Sequence, residues 1–118
     1  MSMNFPQKIG NTIKTITNVN KPAPVGIKHD ENKNRLDLID VEFIEGIGEV
    51  LTFGAEKYAP NSWQNVEDGV NRYYGATLRH LFAWRKGEKK DPESGKSHLL
   101  HIACNMMFLL YHEMKEEK

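Results

Sequence analysis

From Leu36 onward, apolar side chains recur at the spacing of helices in three long stretches, separated by two loops that carry Pro, Asn and Gly. The first helix is predicted to begin near Asp37 or Asp40, either of which can cap free backbone N–H groups, and to fade by Tyr58 before Pro60. On its wheel Phe43, Ile44, Ile47, Val50, Leu51 and Tyr58 fall on one side. Glu42, Glu45, Glu49 and Glu56 fall on the other, within an arc of about 60°. The second helix is predicted from about Val70 to Lys86, with Gly87 placed to end it. Its inner stripe is Tyr73, Thr77, Leu81 and Trp84, while Arg72, Arg79 and Lys86 share one line at i, i+7 and i+14. A turn at Asp91-Pro92-Glu93-Ser94-Gly95, its Asp and Pro suited to the N-cap and first turn, leads into a third helix from about Ser97 to near Met114. That helix is apolar almost all round, which predicts burial on most sides. Its polar exceptions, His98, His101, Asn105 and His112, form a line of their own.

Residues 1–35 are polar and interrupted by Pro6, Gly10, Pro22 and Pro24, which predicts an irregular N-terminal arm. Within it Ile13 to Thr17 suits a short strand, and Ile9, Ile13 and Ile16 equally suit a helix. Residues 36–118 form the predicted all-α domain, a bundle of three main helices. Three helices of this length have too little surface to cover an all-round apolar third helix, so the bundle is expected to be completed by oligomerisation, as a homodimer or homotetramer.

The 118-residue chain is 39% hydrophobic and 27% charged, the composition of one compact domain. No uncharged apolar run is long enough for a membrane span, and Cys104, alone, can form no intrachain disulfide. With no apolar leader at the N-terminus, a cytoplasmic compartment is expected. Lys plus Arg number 16 against 16 Asp plus Glu, and this zero balance argues against direct nucleic-acid binding. Charge acts locally, by segregation onto different helices.

The glutamate line suits hard divalent cations such as Mg²⁺, which prefer carboxylate oxygens, and equally suits a solvated outer face. In a bundle of several chains that face would turn to an interchain cleft, where bound cations relieve the repulsion among carboxylates. The cation line beside such a cluster matches a polyphosphate, the metal bridging some oxygens and arginines neutralising the rest. His98 and His101 are spaced to share a zinc ion but bring no third ligand, and His98, His101 and Asn105 suit hydrogen-bonding or phosphate contacts as well as a structural role. His112 reads as structural. Tyr58, Trp63 and Tyr73 offer a stacking surface for a base, or core packing.

The blocks Arg35-Leu36-Asp37-Leu38, Leu51 to Tyr58 (LTFGAEKY), Asn61-Ser62-Trp63, Arg79 to Trp84 (RHLFAW) and Asp91 to Gly95 followed by His98, His101 and Asn105 together resemble the phage dATP/dGTP diphosphohydrolase family. That family includes MazZ-type enzymes and looks like a branch of the all-α, MazG-like nucleoside triphosphate pyrophosphatases. The resemblance covers roughly residues 26–112. It implies a metal-dependent enzyme that cleaves a deoxynucleoside triphosphate, dATP or dGTP above all, to the monophosphate and pyrophosphate. By the same resemblance Glu42, Glu45 and Glu49 would hold Mg²⁺ or Mn²⁺ and carry the catalysis, a carboxylate free of metal taking the proton of the attacking water. Lys57, Arg72 and Arg79 would neutralise phosphates, with His80, Trp63 or Asn105 nearer the sugar or base. Two departures stand out. The superfamily's later-helix E-x-x-D pair is absent here, so either Asp91 and Glu93 complete the metal site or His98 and His101 replace those carboxylates. Lys33-Asn34-Arg35 stands where the family has Lys-Pro-Arg, a change to the stiffness of the lead-in. A helical regulator that binds a nucleotide or a host protein without hydrolysis is the alternative.

Overall fold

The computed structural model describes residues 22–116. The chain divides into two units, Met1–Asn34 and Arg35–Lys118. The strand or helix expected around Ile13 to Thr17 lies outside the described residues. In the first unit, residues 22–34 are exposed and contain one turn closed by the Lys33 N–H on the Asp30 carbonyl at 3.1 Å.

The second unit is all-α: helices α1 (Val41–Lys57), α2 (Gly69–Arg85) and α3 (His98–Glu116), with single 3₁₀ turns at Leu36–Leu38 and Ser62–Asn65. Among the described residues no strand forms, only an isolated bridge between Lys90 and Ser97. No described helix is long and apolar enough to cross a membrane. Asp40 caps α1, its Oδ2 accepting the Phe43 N–H at 3.0 Å; Asp37 is held instead by the Arg35 guanidinium through two bonds of 2.8 Å. Gly87, at φ 107°, ends α2: its own N–H reaches the Trp84 carbonyl and that of Glu88 the Ala83 carbonyl, both at 3.0 Å, a pattern that requires the left-handed residue between them. The cap of α3 is Ser97, whose Oγ accepts the Leu99 N–H at 3.1 Å. Asp91, expected there, instead closes the preceding turn by accepting the Ser94 N–H at 2.9 Å. The turn is complete in itself, so the helix needs a second cap.

α3 is the central element and packs on both α1 and α2. It comes close to α1 at Gly46, where a Cβ would lie 2.7 Å from both Leu100 methyl carbons. The side chains turned inward differ from those expected. On α3 they are His98, Cys104, Asn105 and His112, so the polar line is the buried one. Leu99, Met106, Met107, Leu110 and Met114 are exposed in the single protomer, in line with the expectation that three helices cannot cover this one by themselves. On α1, Phe43, Ile44 and Tyr58 are also exposed, and burial concentrates at Gly46 and Val50. Thr77 is the buried member of the predicted α2 stripe, with Tyr73 and Trp84 half-buried and Leu81 exposed. The physical reason is that one protomer has only two helices to lay against α3, and both press on the same side of it.

Candidate functional site

A cleft of about 1030 Å³ opens between the C-terminal half of α1, the loop that follows it, α2 and the inner face of α3. Its aromatic wall begins with Trp63. Asn61 (φ 60°) and Asp68 (φ 57°) take left-handed conformations that short polar side chains tolerate, and between them the chain folds Trp63 back onto α3. The indole stacks on Phe108 with centroids 4.6 Å apart and meets the edge of Tyr111 at 5.1 Å. Its carbonyl accepts from buried His112 Nε2 at 3.1 Å and from the Tyr73 hydroxyl at 3.4 Å. His112 is thus a structural clamp, as its position at the end of the polar line suggested.

Charged side chains line the same cleft. Lys57, Arg72 and Arg79 line the cleft from α1 and α2, with Asp91 and Glu93 from the turn before α3. Lys57 pairs with Glu93, and this bond holds its ammonium above the ordinary lysine range. Among the described residues the Arg72 guanidinium bonds the Glu67 carbonyl alone, at 3.4 Å. The Arg79 guanidinium has no ion pair among the described residues. Asn105 is only 7% exposed, yet its amide makes no side-chain hydrogen bond among the described residues and lines the cleft.

The far end of the cleft holds three histidines. The His80 and His101 rings stack 4.6 Å apart at 8°, and His101 Nε2 lies 2.7 Å from Ser94 Oγ and 3.8 Å from Asp91 Oδ2. Beyond them His98, 3% exposed, bonds Glu88 Oε1 through Nε2 at 2.8 Å and meets His80 Nδ1 with its own Nδ1, also at 2.8 Å. A carboxylate only accepts, so His98 carries a proton on Nε2, and in the neutral ring its Nδ1 takes the proton of His80 Nδ1–H. Burial pushes His80 below the ordinary imidazole range, helped by the neighbouring His101 and His98. Burial likewise lowers His101, more strongly than Asp91 raises it. Asp91 is held below the usual carboxylate range: burial works against this, but the Ser94 hydrogen bonds and the two histidines outweigh it. The side chains of His80, Asp91 and His98 bring potential ligand atoms within 4.8 Å of one another.

All seven residues expected to contact substrate, Lys57, Trp63, Arg72, Arg79, His80, His101 and Asn105, line this one cleft, and so do Asp91 and Glu93 of the expected metal ligands. His98 sits behind the wall. Glu42, Glu45 and Glu49 do not line the cleft: all three are exposed on the outer side of α1, and Glu49 reaches Lys96 at 3.4 Å. Sequence reasoning missed Glu88 and Ser94, loop residues that have no helical periodicity to single them out. Cys104, 1% exposed, gives its S–H to the Ile47 carbonyl at 3.8 Å, and burial pushes its thiol up to about 11, so it offers no nucleophile.

Among known proteins, this chain is similar to the dATP/dGTP diphosphohydrolase of Salmonella phage PMBT28, 36% identical over 86 residues. The aligned region covers 73% of this chain but 29% of that relative, so the chain spans under a third of its length. No solved structure matches. Residues 24–118, which contain the whole cleft, match the family described as dATP/dGTP diphosphohydrolase, N-terminal, and the chain belongs to that family.

Proposed function

We propose that the cleft binds a deoxynucleoside triphosphate, dATP or dGTP, and hydrolyses it to the monophosphate and pyrophosphate. The observation that carries this reading is the convergence of Lys57, Arg72 and Arg79 with Asp91 and Glu93 on one cleft that has an aromatic wall. Cations of fixed direction neutralise the triphosphate, and Arg79, with no ion pair among the described residues, gives none up on binding. Trp63 and Tyr73 flank the base, and the Asn105 amide supplies a donor and an acceptor for its edge or for the sugar. The volume is at the upper end for ligand pockets, enough for a nucleotide with its phosphates extended.

A divalent cation, Mg²⁺ or Mn²⁺, would supply Lewis-acid charge to the triphosphate and a more acidic water for its hydrolysis. Asp91 and Glu93 are carboxylates placed to hold it from this chain. Glu42, Glu45 and Glu49 would join them only across a contact between chains, and exposed Leu99, Met106, Leu110 and Met114 offer α3 as the face of a homodimer or homotetramer. His101, kept neutral near pH 7 by burial, is the residue able to accept the proton of the water.

The test is a panel of the eight common nucleotides, assayed for pyrophosphate with Mg²⁺ and with Mn²⁺. Release from dATP or dGTP is expected. Triphosphate bound and recovered intact under every condition would sink hydrolysis and favour a nucleotide-binding regulator.

A further inference from the structure

We propose that His80, Asp91 and His98 form a transition-metal site at the end of the cleft, with Glu88 as the residue that positions His98 for it. The inference rests on the proposed hydrolysis only for its catalytic meaning; the binding of an ion by these residues stands or falls separately.

The geometry points to a ligand between the two imidazoles. His80 and His98 come from different elements, α2 and the first position of α3, and turn the same ring nitrogen toward each other at 2.8 Å. A single proton joins them. The Glu88 carboxylate on His98 Nε2 leaves Nδ1 as a lone pair, which is the tautomer a metal-binding histidine needs, and a carboxylate on the outer nitrogen is the partner such histidines usually have. Asp91 supplies the third atom, within 4.8 Å of the others. Its loop is pinned on both sides, by the Asp91 N–H on the Lys96 carbonyl at 2.8 Å and the His98 N–H on the Lys89 carbonyl at 3.0 Å. The ligands therefore sit on fixed backbone.

On binding, the ion replaces the proton between the two nitrogens, and His80 carries its proton on Nε2 instead. Bonds of about 2.0–2.1 Å at tetrahedral angles set the nitrogens roughly 3.4 Å apart, an opening of about half an ångström that small torsions of two side chains provide. Two imidazoles and one carboxylate suit Zn²⁺, Co²⁺ or Mn²⁺, whereas Mg²⁺ prefers all-oxygen surroundings and keeps its waters. Three protein ligands leave a position for water or a substrate oxygen, as open zinc sites do. His80 and Asp91 both line the cleft, so an ion held by them would be in reach of a substrate bound there.

The experiment is a titration of the metal-free chain with Co²⁺, followed by its visible d–d absorption, with Zn²⁺ and Mg²⁺ as competitors. One equivalent should bind with a tetrahedral-type spectrum, Zn²⁺ should displace it, and millimolar Mg²⁺ should not. His80→Asn and Asp91→Asn should abolish the spectrum while far-ultraviolet circular dichroism stays unchanged. Glu88→Gln, an exposed and isosteric change, should weaken Co²⁺ by about 10–100-fold. Glu113→Gln, an exposed change outside the cleft, should leave it alone. No visible band, or a band that survives His80→Asn in a folded protein, would overturn the site. A chain that binds Co²⁺ through these residues but releases no pyrophosphate keeps the site and sinks the hydrolysis. Pyrophosphate release driven by Mg²⁺ in a chain that gives no Co²⁺ band does the reverse.

Discussion

Arg79 is the residue whose surroundings most clearly leave a job undone. Lys57 is tied to Glu93 and Arg72 to a backbone carbonyl, but the Arg79 guanidinium faces the cleft with no ion pair among the described residues. Its removal should therefore cost binding of the phosphates and little stability. A charge-assisted hydrogen bond is worth about 1.5–3 kcal/mol, so Arg79→Ala should lower kcat/KM for the triphosphate by roughly 10–100-fold. Arg79→Lys keeps the charge, loses the fork and should recover only part of that. Steady-state kinetics beside a urea melt checks both halves; an equal loss of stability would make Arg79 a structural residue. This position is legible in the sequence because Arg72 and Arg79 repeat at helical pitch, and that spacing alone puts them on a common face. Glu88 and Ser94 are not legible. Their roles come from a loop folding back on itself through Gly95 (φ 74°), and no periodicity encodes that.

At the scale of elements, the three helices and their caps follow from local chemistry, and the inward face of α3 does not. A helix apolar nearly all round has no pattern to say which side is inner, and here the inner side is the polar one because it closes a polar cleft. Burying His98, Asn105 and His112 is tolerable only because two of them are bonded and the third meets the cleft. The junction of α2 with α3 gives a sharp test. A Cβ on Gly69, the first residue of α2, would lie 2.8 Å from His112 Nε2 and 3.0 Å from its Cε1. The ring cannot retreat without breaking its bond to the Trp63 carbonyl. Overpacking costs about 1–3 kcal/mol, against at most about 1 kcal/mol gained from alanine's helix preference. Gly69→Ala should then lower the urea midpoint at unchanged slope, a net loss of about 1–2 kcal/mol, and should loosen Trp63, seen as a shift in indole fluorescence. An unchanged midpoint would mean that α2 and α3 do not meet at this distance.

For the molecule as a whole, two properties follow from what is buried and what is not. The histidine cluster makes stability depend on pH. His80 and His101 are lowered in the fold relative to the unfolded value of about 6.5, chiefly by burial, with His98, Asp91, Arg79 and Glu93 among the charged and titratable groups facing them. Below about pH 6.5 the unfolded chain binds more protons than the folded one, so stability falls from there down through the folded pKa values and is flat above. With metal chelated, denaturation at pH 5.5 should require less urea than at pH 7.5; equal midpoints would contradict the cluster. The second property concerns the outer face of α3. Leu99, Met106 and Leu110 recur at i, i+7 and i+11, and Leu110 is 54% exposed, which makes a continuous apolar line on the side away from the cleft. A second copy is the occupant that this line suits, because pairing two such helices removes both lines from water and leaves both clefts open. Charge on the line should then separate the copies without emptying the site. Met106→Glu with Leu110→Glu is expected to convert the oligomer to a folded monomer, read by light scattering and circular dichroism, and to retain Co²⁺ binding at the histidine cluster. If pyrophosphate release disappears with the oligomer while Co²⁺ binding persists, the α1 glutamates act across the interface. If the unaltered chain is a monomer at micromolar concentration, α3 does not pair and those glutamates are a solvated face.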